Sequence, residues 1–245
     1  MKGKKSIASM KKLAAMLAPA LVLLSGLSAQ RARGLDFNTP GSDIGQPGTS
    51  IGGGTRNLEI CKIPEGEELK ALMPSQNLGA VGRTVSKAPA LYWYLPENTA
   101  TLGEVVVVDE ERNEVYFAEF TLPSKSGIIK YEIPASAGLE EGKQYEWQMA
   151  LVCDTNDRTQ DEFVRGNLLV VAQTTGLEDD LAAAANNALE KASAYNKAQI
   201  WHDTVSSLAP AAEQYPEEWA RLLESVGLPE EIATATVVDC CTAEN

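Results

Sequence analysis

From Lys143 to Asp154 the chain reads Lys-Gln-Tyr-Glu-Trp-Gln-Met-Ala-Leu-Val-Cys-Asp. Tyr145, Trp147, Met149, Leu151 and Cys153 are large and apolar, and Gln144, Glu146 and Gln148 between them are polar. Successive side chains of a strand point to opposite faces, so this alternation predicts a strand with one face in a core and the other in water. Leu139-Glu140-Glu141-Gly142, just ahead of it, reads as a tight corner feeding the strand. The domain is built around this element.

The neighbouring segments extend the pattern. Ala90-Leu91-Tyr92-Trp93-Tyr94-Leu95 is apolar on both phases between Pro89 and Pro96, as a central strand is. Glu104–Val108 and Val115–Leu122 flank the charged run Asp109-Glu110-Glu111-Arg112-Asn113, which makes a hairpin. Gly127–Ile133 and Asn167–Ala172 read as further strands. Short strands with turn chemistry between them and no intervening helices predict antiparallel sheets packed as a sandwich over residues 57–175.

The spacing Leu139-x-x-Gly142-x-x-Tyr145-x-Trp147 resembles the turn into the sixth strand of fibronectin type III and related immunoglobulin-like domains. The resemblance implies that the Tyr145 hydroxyl bonds back to the backbone of the corner and that Trp93 is the buried tryptophan of the opposing strand. Two features depart from that pattern. Cys61 and Cys153 are too far apart for the usual intersheet bridge, and Tyr145 is not two residues before a cysteine.

After Gly176 the composition turns to Ala, Glu, Asn and Leu. Leu181, Ala185, Ala188, Ala192 and Tyr195 recur at helical spacing, as do Trp201, Thr204, Val205 and Leu208. A further helix starts at Pro216, carries Trp219, Leu222, Leu223 and Val226 on one face, and stops at Gly227. The expected fold class is mainly β with an α appendage: an immunoglobulin- or fibronectin-III-like antiparallel sandwich followed by C-terminal helices over 176–232 and a tail over 233–245.

Lys2, Lys4, Lys5, Lys11 and Lys12 precede the apolar run Leu13–Leu24, and Ser25-Gly26-Leu27-Ser28-Ala29 supplies small residues for cleavage. Residues 1–29 thus have the three-part layout of a signal peptide, and export to the periplasm or the exterior is expected. The run is short for a span and Pro19 interrupts it, so no membrane span is expected after leader removal. Five of the 21 basic residues leave with the leader and none of the 34 acids does, which takes the net charge from −13 to −18. So acidic a chain repels nucleic acid and anionic lipid surfaces. Residues 30–56, rich in Gly, Pro, Ser and Thr, read as a flexible linker, and Gly52-Gly53-Gly54 within it lacks the surroundings of a phosphate loop.

Four cysteines in an exported chain allow three pairings. The inward phase of Cys153 and the place of Cys61 before the first patterned strands favour a Cys61–Cys153 disulfide. Cys240 and Cys241 are neighbours, where a mutual bond is strained and uncommon, so they either pair elsewhere or lie in a loose tail.

The densest run of oxygen ligands directly follows the organising strand, with Asp154, Asn156, Asp157, Asp161 and Glu162 as candidates for a calcium loop. It departs from an EF-hand, since Arg158 takes the fifth ligand place and Arg165 stands where the bidentate glutamate belongs. The competing reading is an Asx-turn loop whose acids are answered by Arg158 and Arg165, and the two readings leave any metal undefined. His202, the only histidine, sits in a helical pattern, where such a residue lies at a helix surface or contacts a neighbouring domain. No Gly-x-Ser-x-Gly or His-Glu-x-x-His spacing accompanies it, so no catalytic residues and no cofactor are assigned.

Several stretches together resemble a cyanobacterial family of exported proteins catalogued as domain of unknown function 928. They are Gly52–Arg56 with Cys61, Tyr92–Pro96, Phe120–Pro123 with Gly127-Ile128, Gly142-Lys143-x-Tyr145-x-Trp147, and Leu151-Val152-Cys153-Asp154-x-x-Asp157-Arg158. Ile200-Trp201-His202-Asp203 and Leu222–Leu228 continue the resemblance through the helices. The family pattern has Gly and Tyr where this chain has Gln199 and His202. The resemblance implies export and transfers no catalytic residues. Two functions stand against each other: a non-catalytic binding or envelope-associated module with an unknown protein or polysaccharide partner, and a hydrolase acting on envelope or extracellular polysaccharide through paired carboxylates.

Overall fold

In the computed structural model of the chain, residues 35–37, 61–74, 81–238 and 240–241 are described, all within one unit spanning 34–245. The leader and Gly52–Gly54 lie outside them. The strands are β1 (Lys70–Ala71), β2 (Gly82–Thr84), β3 (Ala90–Leu95), β4 (Leu102–Val108), β5 (Glu114–Thr121), β6 (Gly127–Glu132), β7 (Gln144–Val152), β8 (Glu162–Val170) and β9 (Val237–Val238). The helices that follow the sandwich are α1 (Thr175–Ala184), α2 (Ala188–Lys197), α3 (Trp201–Leu208), α4 (Pro216–Ser225) and α5 (Glu230–Ala233). Among the described residues the fold is therefore mainly β, with nine strands in two sheets and five C-terminal helices.

One sheet runs β1-β3-β6-β9 and the other β2-β8-β7-β4-β5. Strand β7 is the central member of the second sheet, and its inward residues Tyr145, Trp147, Met149 and Leu151 are buried. Ala150 and Val152 on the other phase are buried as well, at the end of the strand over which the following loop folds. The sheets are not wholly antiparallel as expected. Strand β2 lies parallel to β8, and β9 lies parallel to β6. Parallel neighbours need a long crossover between them, and the whole sandwich or the helical segment supplies one. Both β2 and β9 are too short for an alternation to be visible. The sequence predicts a tail over 233–245, and Val237–Val238 within it instead pairs with β6.

Trp93, Phe120 and Trp147 meet between the sheets, with ring centroids 6.2 Å apart for Trp93–Phe120 and 6.4 Å for Trp93–Trp147. Trp147 stands opposite Gly166 in the register of β7 and β8, and a Cβ at that glycine would lie 2.5 Å from the indole. The missing side chain is what lets the tryptophan lie flat inside the core. Gly166→Ala should therefore destabilise the fold by about 1–3 kcal/mol through overpacking. A lower denaturant midpoint with altered tryptophan fluorescence checks this, and an unchanged midpoint would mean that the indole has room to move.

The helices do not stand apart from the sandwich. Trp201, Val205, Leu208, Trp219, Leu222 and Leu223 belong to the same buried cluster as Trp93 and Trp147. The run from Leu181 to Tyr195 is two helices rather than one. Ala185 takes a positive φ of 49°, and Asn187 caps α2 by accepting from the Glu190 N–H. Within the segment expected to be a linker, Leu35 and Phe37 are buried. Phe37 packs edge-on to Trp201 at 4.9 Å, and its N–H donates to the Ser225 hydroxyl. Among the described residues no helix is long and apolar enough to cross a membrane.

Candidate functional site

Three parts of the chain converge where β7 ends. Cys153, half-buried one residue beyond the strand, is bonded to the buried Cys61. The loop from Asp154 to Asp161 then folds over the outer side of the sheet and returns as β8. Asp154 accepts from the Asn156 N–H at 2.8 Å, which makes an Asx turn. Asp157 caps a short 3₁₀ turn over Arg158–Gln160, accepting from the Thr159 hydroxyl at 2.5 Å and its N–H at 3.1 Å. These bonds, the hydroxyl first, hold the Asp157 carboxyl below the usual carboxylate range.

The turn aims Arg158 back across the sheet. Its Nη1 and Nη2 donate to Glu104 Oε1 and Oε2 at 2.9 and 2.6 Å, and its Nε donates to Asp161 Oδ2 at 2.6 Å. The other Asp161 oxygen accepts from the Cys153 N–H at 3.0 Å. Glu104 and Asp161 are only 8% and 7% exposed. A bidentate guanidinium–carboxylate pair is the strongest of the ordinary charge-assisted arrangements. Glu104, then Asp161, holds Arg158 protonated well above the ordinary guanidinium range. Arg165 does not join this set as expected. Its Nε donates to Gln148 at 2.9 Å, and its guanidinium lies over the Phe163 ring.

The candidate cation ligands are thus distributed rather than convergent. Asp154 and Asn156 bond each other, Asp157 serves the 3₁₀ turn, Asp161 faces Arg158, and Glu162 opens β8. Among the described residues no group of three or more His, Cys, Asp or Glu side chains is placed to hold a metal ion. Asp157→Ala should lower the melting temperature slightly and by the same amount with or without calcium. A melting temperature that rises strongly with calcium in the parent and not in the variant would make the loop a metal site instead.

The corner before β7 carries its own lock. The Tyr145 hydroxyl accepts from the Glu140 N–H at 2.9 Å, and Trp147 and Trp93 lie in the core. At the hairpin tip Asp109 accepts from Asn113 N–H and Nδ2, closing the loop on itself.

The second convergence joins α3 to the sheets. Trp201 Nε1 donates to the Leu72 carbonyl at 2.8 Å, and Asp203 accepts from the Thr84 hydroxyl at 2.7 Å and the Val85 N–H at 3.2 Å. His202 between them is 3% exposed and hydrogen-bonds the backbone of Ala90. It lies over Gly82, where any Cβ would collide with the imidazole and with Met73. Burial pushes its pKa down to about 4. The imidazole is neutral and enclosed, a packing element rather than a base open to substrate. Of the two places the sequence allows for His202, a helix surface or a contact with a neighbouring domain, burial excludes the first. Nothing in the sequence shows that Asp203 reaches β2. Glu104 carries a faint signal as the acid that opens the run Val105–Val108 within a strand.

Two sheets, with Arg158 joining β4 to the loop before β8 and with α3 docked against β2, thus frame the site among the described residues. The family described as Domain of Unknown Function (DUF928) matches residues 51–237. The chain belongs to that family. Among curated proteins, none matches the chain.

Proposed function

We propose that the chain is an exported, non-catalytic binding or envelope-associated module with a protein or polysaccharide partner. The observation that carries this reading is the Arg158 lock. Glu104 and Asp161, the buried carboxylates among the described residues outside the helices, both bond to the Arg158 guanidinium instead of facing each other across a cleft. The alternative hydrolase would need an open carboxylate pair. Asp180 and Glu190 share a hollow of about 220 Å³ between α1 and α2, and Asp180 is paired with Lys197 at 2.7 Å. That hollow is below the ~300–1,000 Å³ of ordinary ligand sites. Export is supported by the Cys61–Cys153 disulfide and by the leader-like start.

We read the sandwich as immunoglobulin- or fibronectin-III-like. The order β8-β7-β4 beside β1-β3-β6 and the Tyr145–Glu140 bond support this type. The proposed organisation is leader 1–29, a segment 30–56 whose Leu35 and Phe37 pack on the fold, sandwich 57–175, helical segment 176–232 and a last segment 233–245 that adds strand β9 to the sheet. Incubating the mature chain with isolated envelope polysaccharide tests the function. Sedimentation with the polymer and no release of reducing ends is the expected result. Release of reducing ends that Asp180→Asn abolishes would establish the hydrolase.

A further inference from the structure

The two disulfides differ in ways that matter for chemistry. Cys61 is 1% exposed, so opening Cys61–Cys153 would leave a thiolate in apolar surroundings, where it is a poor leaving group. Cys240 and Cys241 are both half-buried, and they are bonded to each other. Neighbouring Cα atoms are fixed about 3.8 Å apart by the trans peptide, less than the ~4.4–6.8 Å that disulfides ordinarily span. The pair also borders a cavity of about 570 Å³, together with Tyr92, Lys130, Glu132, Pro210 and Val238. That cavity is the path by which a small reagent or an exposed loop would approach the pair. Strained, accessible disulfides are the labile ones, and enclosed ones are structural.

We propose that Cys240–Cys241 is a thiol–disulfide exchange site whose reaction partners are dithiols, either small molecules or proteins bearing a Cys-x-x-Cys pair, while Cys61–Cys153 remains closed. One thiolate of the dithiol attacks a sulfur of the pair, the Cys240–Cys241 bond breaks, and the other cysteine leaves as a thiolate. The second thiol of the reagent loses its proton and attacks the mixed disulfide. The reagent departs as its own disulfide, and two electrons and two protons have passed to Cys240 and Cys241. This chemistry is independent of what the sandwich binds.

The test is a dithiothreitol titration of the oxidised full chain, quenched with N-ethylmaleimide and read by mass spectrometry of a digest made without further reduction. Cys240 and Cys241 should become alkylated at a reductant concentration at least about tenfold below that which opens Cys61–Cys153. Circular dichroism should stay unchanged over the first phase. The Cys240→Ser/Cys241→Ser variant should lose that phase and keep the second at its original concentration. Opening of both bonds together, earlier opening of Cys61–Cys153, or alkylation of Cys240 and Cys241 before any reductant is added would each overturn the proposal.

Discussion

Arg158→Met should lower the folding free energy by about 3 kcal/mol, which for a chain of this size is a fall of roughly 10 °C in melting temperature. Removing one partner of a buried ion pair leaves the other charged and unpaired, and here two carboxylates are stranded at once. The expected loss sits at the lower end of the range for such changes because the Arg158 side chain is itself 48% exposed. Arg158→Lys should be intermediate, since one ammonium cannot reproduce the two-pronged contact with Glu104 and reach Asp161 as well. Adding Glu104→Gln and Asp161→Asn to Arg158→Met should recover part of the loss. A melting temperature unchanged by Arg158→Met would show that water already satisfies both carboxylates and that the loop is held by its turns alone.

Acid should weaken the fold through His202. Its folded pKa of about 4 lies below the ordinary 6.5, so as pH falls the unfolded chain takes up the proton first. The contribution is fully present above pH 6.5 and is lost as pH falls from there towards 4, by about 3 kcal/mol in all. Asp203 works against this. Burial raises its carboxyl, so its contribution is present at low pH and lost as pH rises through its folded pKa, which flattens the acid end of the curve. Tyr195, which burial and then the nearby Asp203 push up, stays neutral throughout this window. Melting temperature measured from pH 7 to pH 4 should fall by roughly 10 °C in the parent. His202→Gln should show a shallower slope whatever its starting stability. Equal slopes in parent and variant would mean that other groups set the acid sensitivity.

Much of this architecture was legible because β-strand periodicity is a local property. The alternation from Tyr145 to Leu151 sufficed to place β7 with one face inward, and the apolar block around Trp93 sufficed to mark β3. The Cys61–Cys153 pairing was readable from the phase of its strand and the position of its partner. Gly227 and Pro216 bounded α4 closely. The short strands β1, β2 and β9 could not be read, because two or three residues carry no period and their pairing depends on distant partners.

The candidate site was half legible. The cluster from Asp154 to Glu162 was visible as a dense polar loop, and Asp157 and Arg158 were visible as residues able to hold it. Which acids Arg158 would meet was not, because Glu104 is 54 residues away and comes beside the loop only through the pairing of β4 with β7. Asp203 reaches Thr84 across 119 residues for the same reason. Local chemistry determined that this chain would build strands, where they would turn, and that helices would follow them. Tertiary structure alone decided which charges are buried together, since burial and ion pairing depend on groups that only the assembled sheets and the docked helix α3 bring within hydrogen-bond distance.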